Sequence, residues 1–278
     1  ALRCPLVRVP LIKSGFLPRA DVIVATSWPV VRDVARLHPS CGRKVHVLFH
    51  HEAGTGPEHA IAAAYRLPFH RIAFAATVRD EMANRFACGV HDLLPAGVDL
   101  TQWYPTGAPK SESVLMLYHD QPRKGAADGL RALEQVRQAR PGLRVRICGT
   151  VPPQRLPDWC DFKLHPPDAE LRDWYSSSAM LLYSSRYEGF GLPPLEAMAC
   201  GCPVVSTKVG AVPEYAAGGA AVLVEPGDVD AMAQATITLL DRPGRRQELS
   251  ERGRGAATRH SLEASAPRFL AALRSARA

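Results

Sequence analysis

Short apolar runs without polar interruption recur along the chain at residues 22–26, 45–50, 72–76, 114–118, 143–148, 179–183, 204–206 and 221–224. Runs that lack alternation suit strands covered on both faces by helices, as in parallel sheets. Between them, residues 30–38, 60–66, 125–140, 169–177 and 193–200 carry helical spacing of apolar positions. The end of the chain reads as three further helices near 229–240, 245–257 and 262–276. Such strand–helix alternation predicts an α/β architecture. Residues 102–113 (QWYPTGAPKSES) are rich in Pro, Gly and Ser and read as a linker, with a domain boundary near residue 108. The expectation is a first domain over 1–107 and a second, doubly wound Rossmann-type domain over 108–278. A Rossmann-type half usually has about five or six strands. With three convincing strands, the first domain is expected to be partial.

The length of 278 residues matches about two domains at roughly 100–200 residues each. The hydrophobic fraction of 46% and charged fraction of 22% exclude a mainly disordered chain. No apolar run reaches the ~18 residues of a spanning helix, which excludes an integral helical membrane protein. The opening residues ALRCPLVRVP have neither signal-peptide anatomy nor an initiator methionine, so a processed chain or a piece of a longer one is expected. The net charge of +7 is uneven: nine Arg face four acidic residues from position 241 onward. A basic end of this kind suits nucleic acid, an anionic membrane surface or a phosphorylated substrate, and its ordinary reading is a solvated face of terminal helices. Only one aromatic, Phe269, falls among these arginines, which argues against nucleic acid as a partner. Cysteines at 4, 41, 88, 148, 160, 200 and 202 form no CxxC pair. They read as packed thiols, Cys200 and Cys202 included, and their use fits a cytoplasmic protein.

The stretch Tyr187-Glu188-Gly189-Phe190-Gly191-Leu192-Pro193-Pro194-Leu195-Glu196 follows a buried strand. It therefore lies at a carboxyl end, where open α/β sheets bind ligands. Gly189 and Gly191 let backbone N–H groups approach a ligand without an intervening Cβ. Pro193 and Pro194 suit the first turn of a helix, whose N-terminus offers free N–H donors and partial positive charge to an anion. Glu196 falls about one turn inside, where its carboxylate can accept two hydroxyls of a diol such as a ribose. Glu188 stands on the loop in front of it.

The form EGFGLPPLEAMACGCPVV resembles the donor-site signature of the retaining glycosyltransferases of family 4, which have the two-domain GT-B fold. The resemblance extends to residues 167–180 (PDAELRDWYSSSAM) before it, and to Gly210-Ala211-Val212-Pro213-Glu214 and Val224-Glu225-Pro226-Gly227-Asp228 after it. Pro122-Arg123-Lys124-Gly125 is similar to the family's Lys-Gly element, and Ala96-Gly97-Val98-Asp99 with Trp103-Tyr104-Pro105 to its inter-domain segment. The helix over 261–276 resembles the terminal helix that returns to the first domain. The match is specific over residues 95–278 and looser over 20–95. It implies two Rossmann-type domains facing a cleft, the first lacking its opening strand and Gly-rich loop.

The resemblance also implies roles. Glu196 would hold the ribose of a nucleotide-sugar, and Glu188 would touch a hydroxyl of the transferred sugar. The N–H groups of Phe190, Gly191 and Leu192 would meet sugar and diphosphate, and Lys124 would neutralise the departing diphosphate. Such fixed donors aimed at developing charge are the largest catalytic term available. His119 stands where the family usually has Arg, and a neutral imidazole is the weaker phosphate partner; Arg123 is the candidate substitute. In the first domain, His50, with His51 and Glu52 beside it, ends a strand. Its readings are a metal ligand, a donor-sugar contact or an ordinary loop histidine, and no third ligand at metal-site spacing accompanies it. Ser27-Trp28 and Thr77 to Arg79 are weaker acceptor-side candidates, and the backbone of residues 162–165 is a candidate reader of the base.

The resulting expectation is metal-independent transfer, with retention, from a nucleotide-diphosphate-sugar substrate to a glycan, lipid-linked or small-molecule acceptor, with no separate cofactor. Peripheral association with the inner face of a membrane through the Arg-rich end stays open. The alternative is a nucleotide-sugar-binding module without turnover that needs a partner for the missing part.

Overall fold

The computed structural model describes residues 6–277; Cys4 lies outside them. The chain divides into two compact units. One runs to Leu94 and takes in the chain from Pro267 onward; the other is Pro95–Ala266.

In the first unit, β1 (Val22–Ala25), α1 (Trp28–Ala35), β2 (Arg43–Leu48), α2 (Glu58–Tyr65), β3 (His70–Ala73), α3 (Ala76–Phe86) and β4 (Asp92–Leu93) follow in order. The four strands lie side by side as β1-β2-β3-β4, all parallel. Val45 and Val47 of β2 and Ile72 of β3 are buried together with Ala272 and Ala276 of the last helix, α10 (Leu262–Arg277). A second cluster joins Ala25, Val31, Val34 and Ala64. The sequence reading carried the third strand on to residue 76 and left Thr77 to Arg79 as a strand end. In the structure these residues form the first turns of α3, whose buried Val78, Met82 and Phe86 recur every four residues along one face. Similarly, β2 begins and ends earlier than expected, so Phe49 and His50 lie just past it.

The second unit holds β5 (Ser111–Tyr118), α4 (Ala126–Ala139), β6 (Arg144–Gly149), β7 (Cys160–Leu164), α5 (Asp168–Ser177), β8 (Ser178–Tyr183), α6 (Leu192–Ala199), β9 (Val204–Thr207), α7 (Val212–Tyr215), β10 (Val222–Val224), α8 (Val229–Asp241) and α9 (Pro243–Arg259). Its strand order is β10-β9-β8-β5-β6-β7, parallel throughout. All six residues of β8 are buried, as an uninterrupted apolar run between two helical layers requires. Val114 of β5 is in register with Val145 on one side and Met180 on the other. Leu133 and Val136 of α4 and Met232 and Leu239 of α8 complete this core. From β5 the chain winds outward through β6 and β7, then returns to β8 on the opposite side of β5. That reversal opens a crevice outside the carboxyl ends of β5 and β8.

The segment expected as a linker is instead fastened to the second unit. Trp103 is buried edge-on against Tyr175, 5.7 Å between ring centroids. Gln102 donates to Asp168, and the Thr106 N–H to Ser176. An indole of that size gains more from burial than a tether gains from freedom, so the division falls after Leu94 rather than near residue 108. The Arg-rich end is partly consumed internally: Arg246 donates to the carbonyls of Leu239 and Leu240, closing the end of α8, and Arg252 donates to Gly218. Among the described residues no helix is long and apolar enough to cross a membrane. The six described cysteines are free, with Cys200 and Cys202 buried.

Candidate functional site

A cavity of about 560 Å³ opens at the carboxyl ends of β5, β6 and β8. Tyr118 and His119 close β5 on one wall, Gly149 and Thr150 follow β6, and Tyr183 and Ser184 end β8. Asp168, Leu171 and Tyr175 come from α5, Pro193 and Glu196 from α6, and Lys124 from the turn before α4. His165, in the left-handed region at φ 48°, is held there by its N–H donating to Gly149.

Lys124 and Glu188 are distant in sequence and meet because their two segments are laced together. The Arg123 carbonyl accepts from the N–H groups of Arg186 (2.8 Å) and Tyr187 (3.1 Å) and lies 3.0 Å from the Ser185 hydroxyl. Asp128, buried in the first turn of α4, takes the Arg186 guanidinium on both oxygens and also pairs with Arg131. Hydrogen bonding from Arg186, then from Arg131, holds the Asp128 carboxyl below its ordinary value despite burial. Gly125 makes the tight entry to α4 possible: its φ is 63°, and a Cβ there would strike the Ser184 carbonyl.

Glu188 is 8% exposed. Its Oε1 receives Lys124 Nζ at 2.7 Å, the Tyr183 hydroxyl at 2.6 Å and the Ser185 hydroxyl at 2.8 Å. Its Oε2 has one neighbour of this kind, Arg123 at 3.8 Å. Burial, then the charge of Glu188, keeps the Tyr183 hydroxyl protonated far above its ordinary range.

Glu196 contrasts with this. It is half-buried on the cavity wall, and among the described residues no donor reaches its carboxylate. Burial first, then the negative charge of Asp168, pushes its pKa up to about 7. The loop between the two glutamates is braced from behind. The Tyr215 hydroxyl donates to the Gly191 carbonyl at 2.6 Å, Phe190 packs against the Tyr215 ring, and the Ala211 N–H donates to the Phe190 carbonyl. Gly191, at φ 87°, caps α6. Among the described residues the N–H groups of Phe190, Gly191 and Leu192 have no acceptor.

The structure thus brings together His119, Lys124 and Glu196 in the cavity wall, with Glu188 and Arg123 joined to them through Lys124. Gly189, Phe190, Gly191 and Leu192 form the connecting loop. His119 lies with Nδ1 2.8 Å from Asp120 and 3.1 Å from the Gln121 nitrogen. His50 belongs to the other unit, just past β2. Tyr183, Ser185, Asp128 and Arg186 are contributors that the sequence reading passed over. A hydroxyl ending a buried strand five residues before a loop carboxylate was the available signal for Tyr183. Among the described residues no group of three His, Cys, Asp or Glu side chains could hold a metal ion.

Residues 114–242 match the family described as glycosyl transferases group 1. O-antigen chain mannosyltransferase B of Escherichia coli is 38% identical over 105 residues, which is 38% of this chain and 27% of that protein. D-inositol 3-phosphate glycosyltransferase of Segniliparus rotundus is 30% identical over 210 residues, covering 66% and 47% respectively. The chain therefore spans less than half the length of these curated relatives. In fold it is similar to sucrose-phosphate synthase from Thermosynechococcus elongatus, at a TM-score of 0.79 and 21% identity over 92% of this chain and 73% of that one. It is also similar to Anabaena HepE in complex with UDP-glucose, at a TM-score of 0.77 and 17% identity over 92% and 79%.

Proposed function

Because residues 114–242 make this chain a member of the group 1 glycosyltransferases, we propose that the cavity binds a nucleoside-diphosphate sugar. The protein then serves transfer of the sugar to an acceptor hydroxyl, with retention of anomeric configuration. The observation that carries this reading is Glu196: a half-buried carboxylate with no donor of its own on a cavity wall is matched by the two hydroxyls of a ribose. Tyr118, Gly149 and His165 line the same cavity and suit the base. Lys124 and the unengaged N–H groups of residues 190–192 suit the diphosphate, and Glu188 Oε2 suits a sugar hydroxyl.

Chemically, the bond from the anomeric carbon to phosphate oxygen breaks. The nucleoside diphosphate leaves with one more negative charge, and the acceptor oxygen bonds to the anomeric carbon. The acceptor's hydroxyl proton passes to the departing diphosphate. Lys124 and the start of α6 lower the cost of the charge that develops. Differential scanning fluorimetry with UDP, GDP and ADP tests the binding half, since a ligand selective for the folded state raises the apparent Tm. No shift with any of the three at millimolar concentration would overturn the reading.

A further inference from the structure

Lys124 has two claims on its charge. In the structure its ammonium rests on Glu188 Oε1, yet the proposed donor site asks the same ammonium to meet a diphosphate. A carboxylate as buried as Glu188 cannot be abandoned cheaply; other donors have to hold its charge. Two hydroxyls already lie on the same oxygen, and they are not equivalent. Ser185 Oγ has one proton and three acceptors within reach, the carbonyls of Arg123 and Tyr187 as well as Glu188. Tyr183 has one proton, which it gives to Glu188 at 2.6 Å, while its oxygen stays within hydrogen-bonding reach of Ser185; its ring is packed at the end of β8 with 5% exposure.

We propose that Tyr183 is a positioning residue that lets Lys124 change partners. Its hydroxyl keeps Glu188 charged and fixed through Oε1 while Lys124 turns to the diphosphate, leaving Oε2 to face the sugar. The inference rests on the donor reading of the cavity. It adds that Glu188 and a diphosphate compete for one ammonium, and that the release of Lys124 depends on the hydroxyl that Tyr183 places on Glu188 Oε1.

Calorimetry on the intact chain tests this with UDP, GDP and ADP and the corresponding monophosphates as probes. Tyr183→Phe keeps the ring and removes the hydroxyl, so Glu188 must lean harder on Lys124. The diphosphate that binds best should weaken by about tenfold, the worth of one hydrogen bond to a charged group, while its monophosphate changes by less than about twofold. Glu188→Gln removes the competing charge: diphosphate affinity should rise, and adding Tyr183→Phe in that background should change nothing further. Equal weakening of mono- and diphosphate by Tyr183→Phe would mark a merely structural role and overturn the proposal. So would an undiminished effect of Tyr183→Phe beside Glu188→Gln, or a diphosphate affinity that ignores Tyr183 altogether. If no nucleotide binds the unmodified protein, the donor reading itself fails, which is a separate result.

Discussion

Glu196 should oppose stability and serve binding, and the two effects can be separated by pH. Its pKa stands at about 7 against an ordinary value of 4.5, a difference worth roughly 3 kcal/mol between protonated and ionised forms. Because the folded value lies above the unfolded one, the fold takes up a proton. Stability attached to this group is full below about pH 4.5 and is lost as pH rises toward 7. Glu196→Gln should accordingly raise Tm at pH 8 and leave it nearly unchanged at pH 5. Both hydroxyls of a ribose diol can donate fully only to the ionised form, which offers two free acceptor oxygens, so nucleotide binding should expel that proton. Affinity should be about tenfold weaker at pH 6 than at pH 8 on this account and level above pH 8. With two hydrogen bonds of ~1.5–3 kcal/mol each at stake and some replaced by water, Glu196→Ala should weaken binding by about 100-fold. Calorimetric titrations of the unmodified protein and Glu196→Gln across pH 6 to 8 provide the assay, the variant removing the contribution of the nucleotide's own phosphate titration. Identical pH profiles for the two proteins, or a variant that binds as tightly as the original, would refute the assignment.

Other expectations follow from the neighbourhood of the site. Asp128→Asn should cost about 1–3 kcal/mol in urea unfolding at pH 7. Because the Asp128 carboxyl is held below its ordinary value, that difference should begin to shrink as pH falls below about 4, where the unfolded chain takes up the proton first, and be lost only at the lower pH where the folded carboxyl is protonated too. Gly125→Ala should destabilise by about 2 kcal/mol or more, read as a fall in Tm, since it combines left-handed backbone with a clash against a carbonyl. Burial pushes the thiols of Cys200 and Cys202 up to about 12 and about 11. Neither should react with a disulfide reagent at pH 8 until the protein unfolds.

The second unit was largely legible because its strands are continuous apolar runs punctuated by Gly and Pro. The stretch from Glu188 to Glu196 then names its own loop and helix start. Where the reading failed, local pattern and tertiary gain diverged. The Pro- and Gly-bearing segment around Trp103 looks like a tether, yet its indole finds Tyr175 to pack against. The helix α3 was hidden because its apolar face is only three residues, Val78, Met82 and Phe86, spread among charged neighbours. The two-residue β4 has no pattern long enough to read. In the site, carboxylates at a motif spacing were visible. The Asp128–Arg186 pair was not, since it is set by the β5–β8 adjacency and by no spacing along the chain; the hydroxyls of Tyr183 and Ser185 lie close before Glu188 but form no motif of their own.

The Arg123 carbonyl has a consequence for any mutational survey of this protein. Two amide protons and a nearby hydroxyl converge on that one oxygen, and every amino acid carries it. Replacing residue 123 with alanine deletes a guanidinium that is 38% exposed and leaves the knot beneath it intact. A scan by side chain would report on the guanidinium and leave the carbonyl unread. Backbone chemistry, such as an ester in place of the amide at residue 186 or 187, would reveal how much of the site hangs from it.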